Sequence, residues 1–113
     1  TKLSLARNRS LASAKEVETL AMFLGESAKL SEVDLTSCSL VGGSMPELSA
    51  GLKRCSALER LTLSYNDLGV DGSAALAAGA LPSLAKLKGL LMRNCRLDGD
   101  AIAELAPGLA QLS

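Results

Sequence analysis

The sequence predicts an α/β fold of about four strand–helix repeats of 28–30 residues. They stack into an arc with a parallel sheet on its concave face and helices on its convex face. Three observations carry this. One apolar frame, L-x-x-L-x-L-x-x-N/C-x-L, occurs three times without gaps. It is filled by Leu30, Val33, Leu35, Cys38 and Leu40, then by Leu58, Leu61, Leu63, Asn66 and Leu68, then by Leu87, Leu90, Met92, Cys95 and Leu97. The first positions lie 28 and 29 residues apart. After each frame the apolar period changes from two to nearly four, as a strand followed by a helix requires. Aromatic residues are almost missing, with one Tyr, one Phe and no Trp in 113 residues. Core volume must then come from Leu, Ala and Val in many small equivalent layers, which suits a repeat array better than one large core.

The first unit, about 1–29, is degenerate. Leu3, Leu5 and Asn8 match Val33, Leu35 and Cys38, but Ser10 falls on an apolar slot and Leu11 follows one step late. Val17, Leu20 and Leu24 align with Met45, Leu48 and Leu52 only with about two extra residues between Arg9 and Glu16. The second unit, about 30–57, places a strand around Val33 and a helix on Met45, Leu48 and Leu52. The third, about 58–86, places a strand around Leu61, and the fourth, 87–113, a strand over Leu90–Met92 and a helix on Ile102, Leu105 and Leu109. Pro107 removes a donor late in that helix and shortens or kinks it. Ser13-Ala14-Lys15-Glu16 and Ser44-Met45-Pro46-Glu47 read as capping boxes. Asp71 or Ser73, and Asp98 or Asp100, are the N-cap candidates of the other helices. Gly51, Gly79 and Gly108 each stand thirteen residues past the Asn or Cys of their unit. They admit two readings, close helix approach or helix termination. Both ends look cut, so the chain reads as part of a longer array whose uncapped flanks are open to self-association.

Period and signature resemble the leucine-rich repeat, most clearly over Leu58–Leu68. The length of the helical half resembles the ribonuclease-inhibitor-like subclass. The resemblance implies that the Asn/Cys slot caps loop backbone inside the array. Asn8 and Asn66 have both donors and acceptors for this, and Cys38 and Cys95 are weaker donors. The segment LSYNDLGVDGSAALAAGALPSL is similar to units of NOD-like receptors, which implies an intracellular receptor or regulator that binds a protein. The same subclass includes Ran-type GTPase-activating proteins and actin-binding tropomodulins, so a GTPase activator or a cytoskeletal adaptor is the alternative.

Composition narrows the chemistry. Twelve basic residues balance twelve acidic ones, so neither nucleic acid nor a membrane surface is a default partner. No apolar run approaches the ~18 residues of a membrane span. Three cysteines without C-x-x-C spacing, two of them in slots two strands apart, argue for free thiols and a cytoplasmic or nuclear protein that is not secreted. There is no histidine, and no nucleophile elbow or phosphate loop. An enzyme is not expected, and no cofactor or metal is expected either. Glu32 and Asp34 share a strand face, but an open face solvates such a pair or offers it to a basic partner. Asn8-Arg9-Ser10 matches a glycosylation sequon that the cysteine usage makes accidental. Asp98-Gly99-Asp100 and Val70-Asp71-Gly72 lack the other ligands of a calcium loop.

A protein ligand is the expected partner, on the residues between the core leucines. These are Lys2, Ser4, Ala6 and Arg7 in the first unit, Glu32, Asp34, Thr36 and Ser37 in the second, Arg60, Thr62, Ser64 and Tyr65 in the third, and Lys88, Leu91, Arg93 and Asn94 in the fourth. Glu32, Asp34, Arg60, Thr62, Tyr65, Lys88, Leu91 and Arg93 are the expected contact residues. Leu91 is apolar at a slot where Ser4, Asp34 and Thr62 are polar. Tyrosine and arginine are the side chains most enriched at binding hot spots, which singles out Arg60, Tyr65, Leu91 and Arg93. The uncharged stretch Ser73–Ala85 is a competing, convex docking surface.

Overall fold

The computed structural model of the chain describes residues 2–7, 13–27 and 29–95. Strand β1 (Lys2–Ser4) is followed by helix α1 (Ala14–Gly25), β2 (Glu32–Asp34), α2 (Met45–Leu52), β3 (Arg60–Thr62), α3 (Gly69–Gly79) and β4 (Gly89–Leu91). Short 3₁₀ turns precede α2 at Gly42–Ser44 and follow α3 at Leu81–Ser83. All strand pairs are parallel and their spatial order is that of the chain. Each helix therefore serves as the crossover to the neighbouring strand, the arrangement parallel pairing demands. The predicted helix on Ile102, Leu105 and Leu109, its Asp98 or Asp100 cap, Pro107 and Gly108 lie outside the described residues, as do Asn8, its sequon and Ser10.

The register turns the sequence frame into layers. Leu3, Val33, Leu61 and Leu90 form one row across the sheet. Val33, Leu35, Leu61 and Leu63 are fully buried, as are Leu30, Leu40, Leu58 and Leu68. Val17, Leu20 and Leu24 of α1 and Met45, Leu48 and Leu52 of α2 close the same core from the helical side. Burying one such leucine contributes about 1.5–3 kcal/mol, so stability is spread over repeated layers. In α3 and at its C-cap the equivalent stripe is smaller: Ser73, Leu76 and Ala80. The hydroxyl of buried Ser73 donates back to the Gly69 carbonyl at 2.8 Å, which satisfies it within the helix.

The recurrent glycines separate the two readings given above. Neither Gly51 nor Gly79 has a positive φ, so neither ends its helix in a left-handed turn. A Cβ on Gly51 would lie 2.8 Å from the Ala21 Cα, and one on Gly79 would lie 3.0 Å from the Ser49 Cβ. Both glycines sit where a helix meets its predecessor. They set how closely α2 approaches α1 and α3 approaches α2. The Ser49 hydroxyl, buried at the second of these contacts, has no hydrogen-bond partner.

The predicted caps are corrected. Ser13 is the N-cap of α1 with extended dihedrals, yet its side chain bonds no amide. Ser44 is helical itself (φ −86°, ψ −16°), because the 3₁₀ turn runs straight into α2. A residue in that conformation cannot aim its hydroxyl at the next turn's amides. Helix α3 begins at Gly69, earlier than a cap at Asp71 or Ser73 would place it. Its leading amides, Leu68 and Gly69, donate to the Cys95 carbonyl of the following unit, so tertiary contact replaces the side-chain cap. Asp71 then lies in the first turn, where its negative charge favours the helix dipole.

Candidate protein-binding face

The site is built on a ladder at the ends of the strands. Arg7, Ser37, Tyr65 and Asn94 all have positive φ, between 53° and 65°. They are the same position in four units, just before the Asn/Cys slot. Their left-handed backbone turns the next residue inward and points their own amides along the array. Arg7 N donates to Thr36 O at 2.7 Å, Ser37 N to Ser64 O at 2.9 Å and Tyr65 N to Arg93 O at 2.7 Å. Such backbone costs a residue other than glycine roughly 1–2 kcal/mol, and asparagine tolerates it best. Only the repetition of position hints at this in the sequence, since Arg, Ser and Tyr carry no left-handed preference.

Behind that row, Asn66 ties the loop of the second unit to that of its own. Its Oδ1 accepts from Cys38 N and Leu40 N, each at 3.0 Å. Its Nδ2 donates to Leu35 O at 2.8 Å and to Leu63 O at 2.9 Å. The cysteines do less in the same slot. The Cys38 thiol donates to Leu5 O at 2.9 Å and the Cys95 thiol to Leu63 O at 3.0 Å. All three cysteines are buried and none is in a disulfide. Burial pushes the Cys55 and Cys95 thiols above their ordinary value of 9.0, and at Cys95 the Asn66 and Tyr65 amides partly offset it. Raised, buried thiols are poor nucleophiles.

On the sheet's open face, two cross-strand rows emerge. One is Lys2, Glu32, Arg60 and Gly89, and the other is Ser4, Asp34, Thr62 and Leu91. In the first, Glu32 is held between two cations, with Lys2 Nζ at 3.5 Å from Oε2 and Arg60 Nη1 at 3.8 Å from Oε1. Exposed pairs of this kind contribute at most about 1 kcal/mol, and the carboxylate of Glu32 offsets only part of the two positive charges beside it. Asp34 is also engaged. Its Oδ1 accepts from Thr36 N at 3.0 Å and Thr36 Oγ1 at 2.6 Å, which fixes the turn leaving β2.

The second row carries the apolar departure. Leu91 stands beside Thr62 and is 52% exposed, and Tyr65 is 54% exposed. Arg93 is exposed as well, and its backbone is held on both sides, donating to Ser64 Oγ at 3.0 Å and accepting from Tyr65 N. The structure thus brings Thr62, Tyr65, Leu91 and Arg93 to one end of the face, with Glu32, Asp34 and Arg60 beside them.

Two sequence expectations are corrected. Lys88 is not in the open-face row; Gly89 fills that slot, because the 29-residue step makes Lys88 the counterpart of Glu59. The two form an ion pair, 3.3 Å apart, ahead of the strands. Ser64 is 5% exposed, with its hydroxyl already used by Arg93 N, so it offers nothing to a partner. Within the uncharged stretch Ser73–Ala85, Ser73, Leu76, Ala77, Ala80, Leu81 and Leu84 are buried, while Ala78, Pro82, Ser83 and Ala85 are exposed.

Among the described residues no cluster of His, Cys, Asp and Glu could hold a metal ion. No helix there is long and apolar enough to cross a membrane. The arrangement, a sheet with one face packed on helices and one face carrying fixed but exposed side chains, is that of a repeat protein presenting a binding surface. Similarity agrees. The chain is 35% identical over 89 residues to human protein NLRC5, covering 79% of the chain and 5% of that protein. It is 35% identical over 68 residues to pig (Sus scrofa) ribonuclease inhibitor, covering 60% of the chain and 15% of that protein. The Leiomodin-1 Actin-Binding Site 2 structure superposes on 96% of the chain, and 64% of its own, with a TM-score of 0.76 at 16% identity, which is a likeness of fold. No family model matches. The chain belongs to the ribonuclease-inhibitor-like leucine-rich repeat family. It spans only a small part of the length of the two relatives it matches in sequence.

Proposed function

We propose that residues 1–113 form a leucine-rich-repeat segment, arc-shaped and part of a longer array, that binds a protein ligand on its concave face. In this reading Tyr65, Leu91 and Arg93 are the contact centre. Arg60, Thr62, Glu32 and Asp34 form the polar surround. The observation that carries it is the pair of large apolar side chains, Tyr65 and Leu91, half exposed on a face whose backbone is already satisfied by the ladder. Neither contributes to the core, and Tyr65 sits in a backbone conformation that disfavours tyrosine. Similarity to NLRC5 supports an intracellular receptor or regulator of the NOD-like type as the parent protein. The role is binding and not catalysis.

A photo-crosslinking amino acid at Thr62, beside Leu91, tests the reading in cells. It should give a protein adduct that Leu91→Ser and Tyr65→Asn both remove, while the same probe at Ser83, on the helical side, gives none. Asparagine suits the left-handed backbone at position 65, so loss of the adduct there cannot be put down to unfolding. An adduct indifferent to both changes defeats the proposal.

A further inference from the structure

Charge on the open face is not evenly available. Of its acids, Glu32 is shared by Lys2 and Arg60, and Asp34 is turned into its own loop by Thr36. Those two cations and two anions cancel. Among the described residues no acidic group lies within ion-pair distance of Arg93, which stands next to the exposed apolar pair Tyr65 and Leu91. Its backbone is held by Ser64 and Tyr65, so the exposed side chain leaves the chain from a fixed point.

Resting on the reading above, we infer that this end of the face takes an acidic protein segment in which a carboxylate side chain lies beside an apolar one. The planar guanidinium of Arg93 matches a carboxylate with two parallel hydrogen bonds. Tyr65 and Leu91 receive the neighbouring apolar side chain and exclude water from the pair, which raises its worth. A nucleic acid is the wrong occupant. It needs a run of unpaired cations along its backbone, and here Lys2 and Arg60 are already committed to Glu32.

The test is selection of short random peptides displayed on phage against the 113-residue chain. Enriched sequences should place Asp or Glu beside Leu, Ile, Phe or Tyr. Binding of a selected peptide should weaken by at least about tenfold with Arg93→Glu and fall in high salt. Replacing the peptide's acid by lysine should restore binding to the Arg93→Glu chain. Arg93→Gln, with the circular dichroism spectrum as control, covers a folding defect in the charge reversal. Peptides that need Tyr65 and Leu91 but ignore both Arg93 variants overturn the acidic partner and leave the face intact. Peptides indifferent to Tyr65→Asn and Leu91→Ser overturn the face itself, and so does a selection that enriches nothing.

Discussion

Asn66 and Cys38 occupy the same slot and differ in what they can satisfy. The amide of Asn66 meets two N–H groups and two principal carbonyls at once, from the second and third units, in a space 3% exposed. A thiol has one weak donor. Asn66→Ala orphans several buried backbone groups and should cost roughly 3–5 kcal/mol, against about 1 kcal/mol for Cys38→Ala. Denaturant unfolding of the two variants measures this, and equal losses would refute the hub. The slot itself was legible from the frame, but the number of bonds each residue makes was not. The thiols also predict an alkaline limit. Cys55 and Cys95 are raised above 9.0 in the folded chain. Their contribution is therefore whole below pH 9.0 and is lost as pH climbs toward the folded values, because the unfolded chain ionises first. Melting temperature should hold flat from neutrality to that point and then drop. The drop should be shallower in a Cys55→Ala, Cys95→Ala double variant.

Helices show where local rules give way. By propensity alone, Gly51→Ala in the last turn of α2 should gain up to about 1 kcal/mol. The backbone of Ala21 stands where the new methyl would go, so the expected result has the opposite sign, a loss of about 1–3 kcal/mol from overpacking. Gly43→Ala is the control. Nothing lies within 4 Å of its added Cβ, and it should hold or raise stability by up to about 1 kcal/mol. Thermal unfolding of both variants settles the order. The capping serines misled for a related reason. Their spacing to Glu16 and Glu47 is right, but Ser44 is absorbed into a 3₁₀ turn and α3 receives its cap from a carbonyl of the next unit.

Across the whole chain, hydrogen bonds run from each unit to the next, continuing beyond the short strands through Arg7, Ser37 and Tyr65. Leu35 N bonds Thr62 O and Leu63 N bonds Leu91 O, both at 2.8 Å under fully buried side chains, with strands on either side of each. Leu5 N bonds Asp34 O from the first strand and under a half-buried side chain. Native-state hydrogen exchange should find the Leu35 and Leu63 amides slower than that of Leu5 by at least about tenfold. Uniform exchange across the three would mean that the strands open only together.

The sequence by itself determined the strand–helix repeat, its parallel order, the core leucines and the inward Asn/Cys slot. Each of these follows from apolar side chains recurring at a fixed period, and periodicity is a property of the chain alone. It also marked Leu91 as an apolar residue on a polar row. Only the tertiary structure decided which open-face charges are free, since Glu32 and Asp34 are engaged by neighbours brought close by cross-strand register and by a turn. It decided that Lys88 stands outside the open-face row, that Ser64 is already occupied, and that Gly51 and Gly79 serve packing instead of termination. Those outcomes depend on distances between units twenty-eight or twenty-nine residues apart. A local pattern does not contain them.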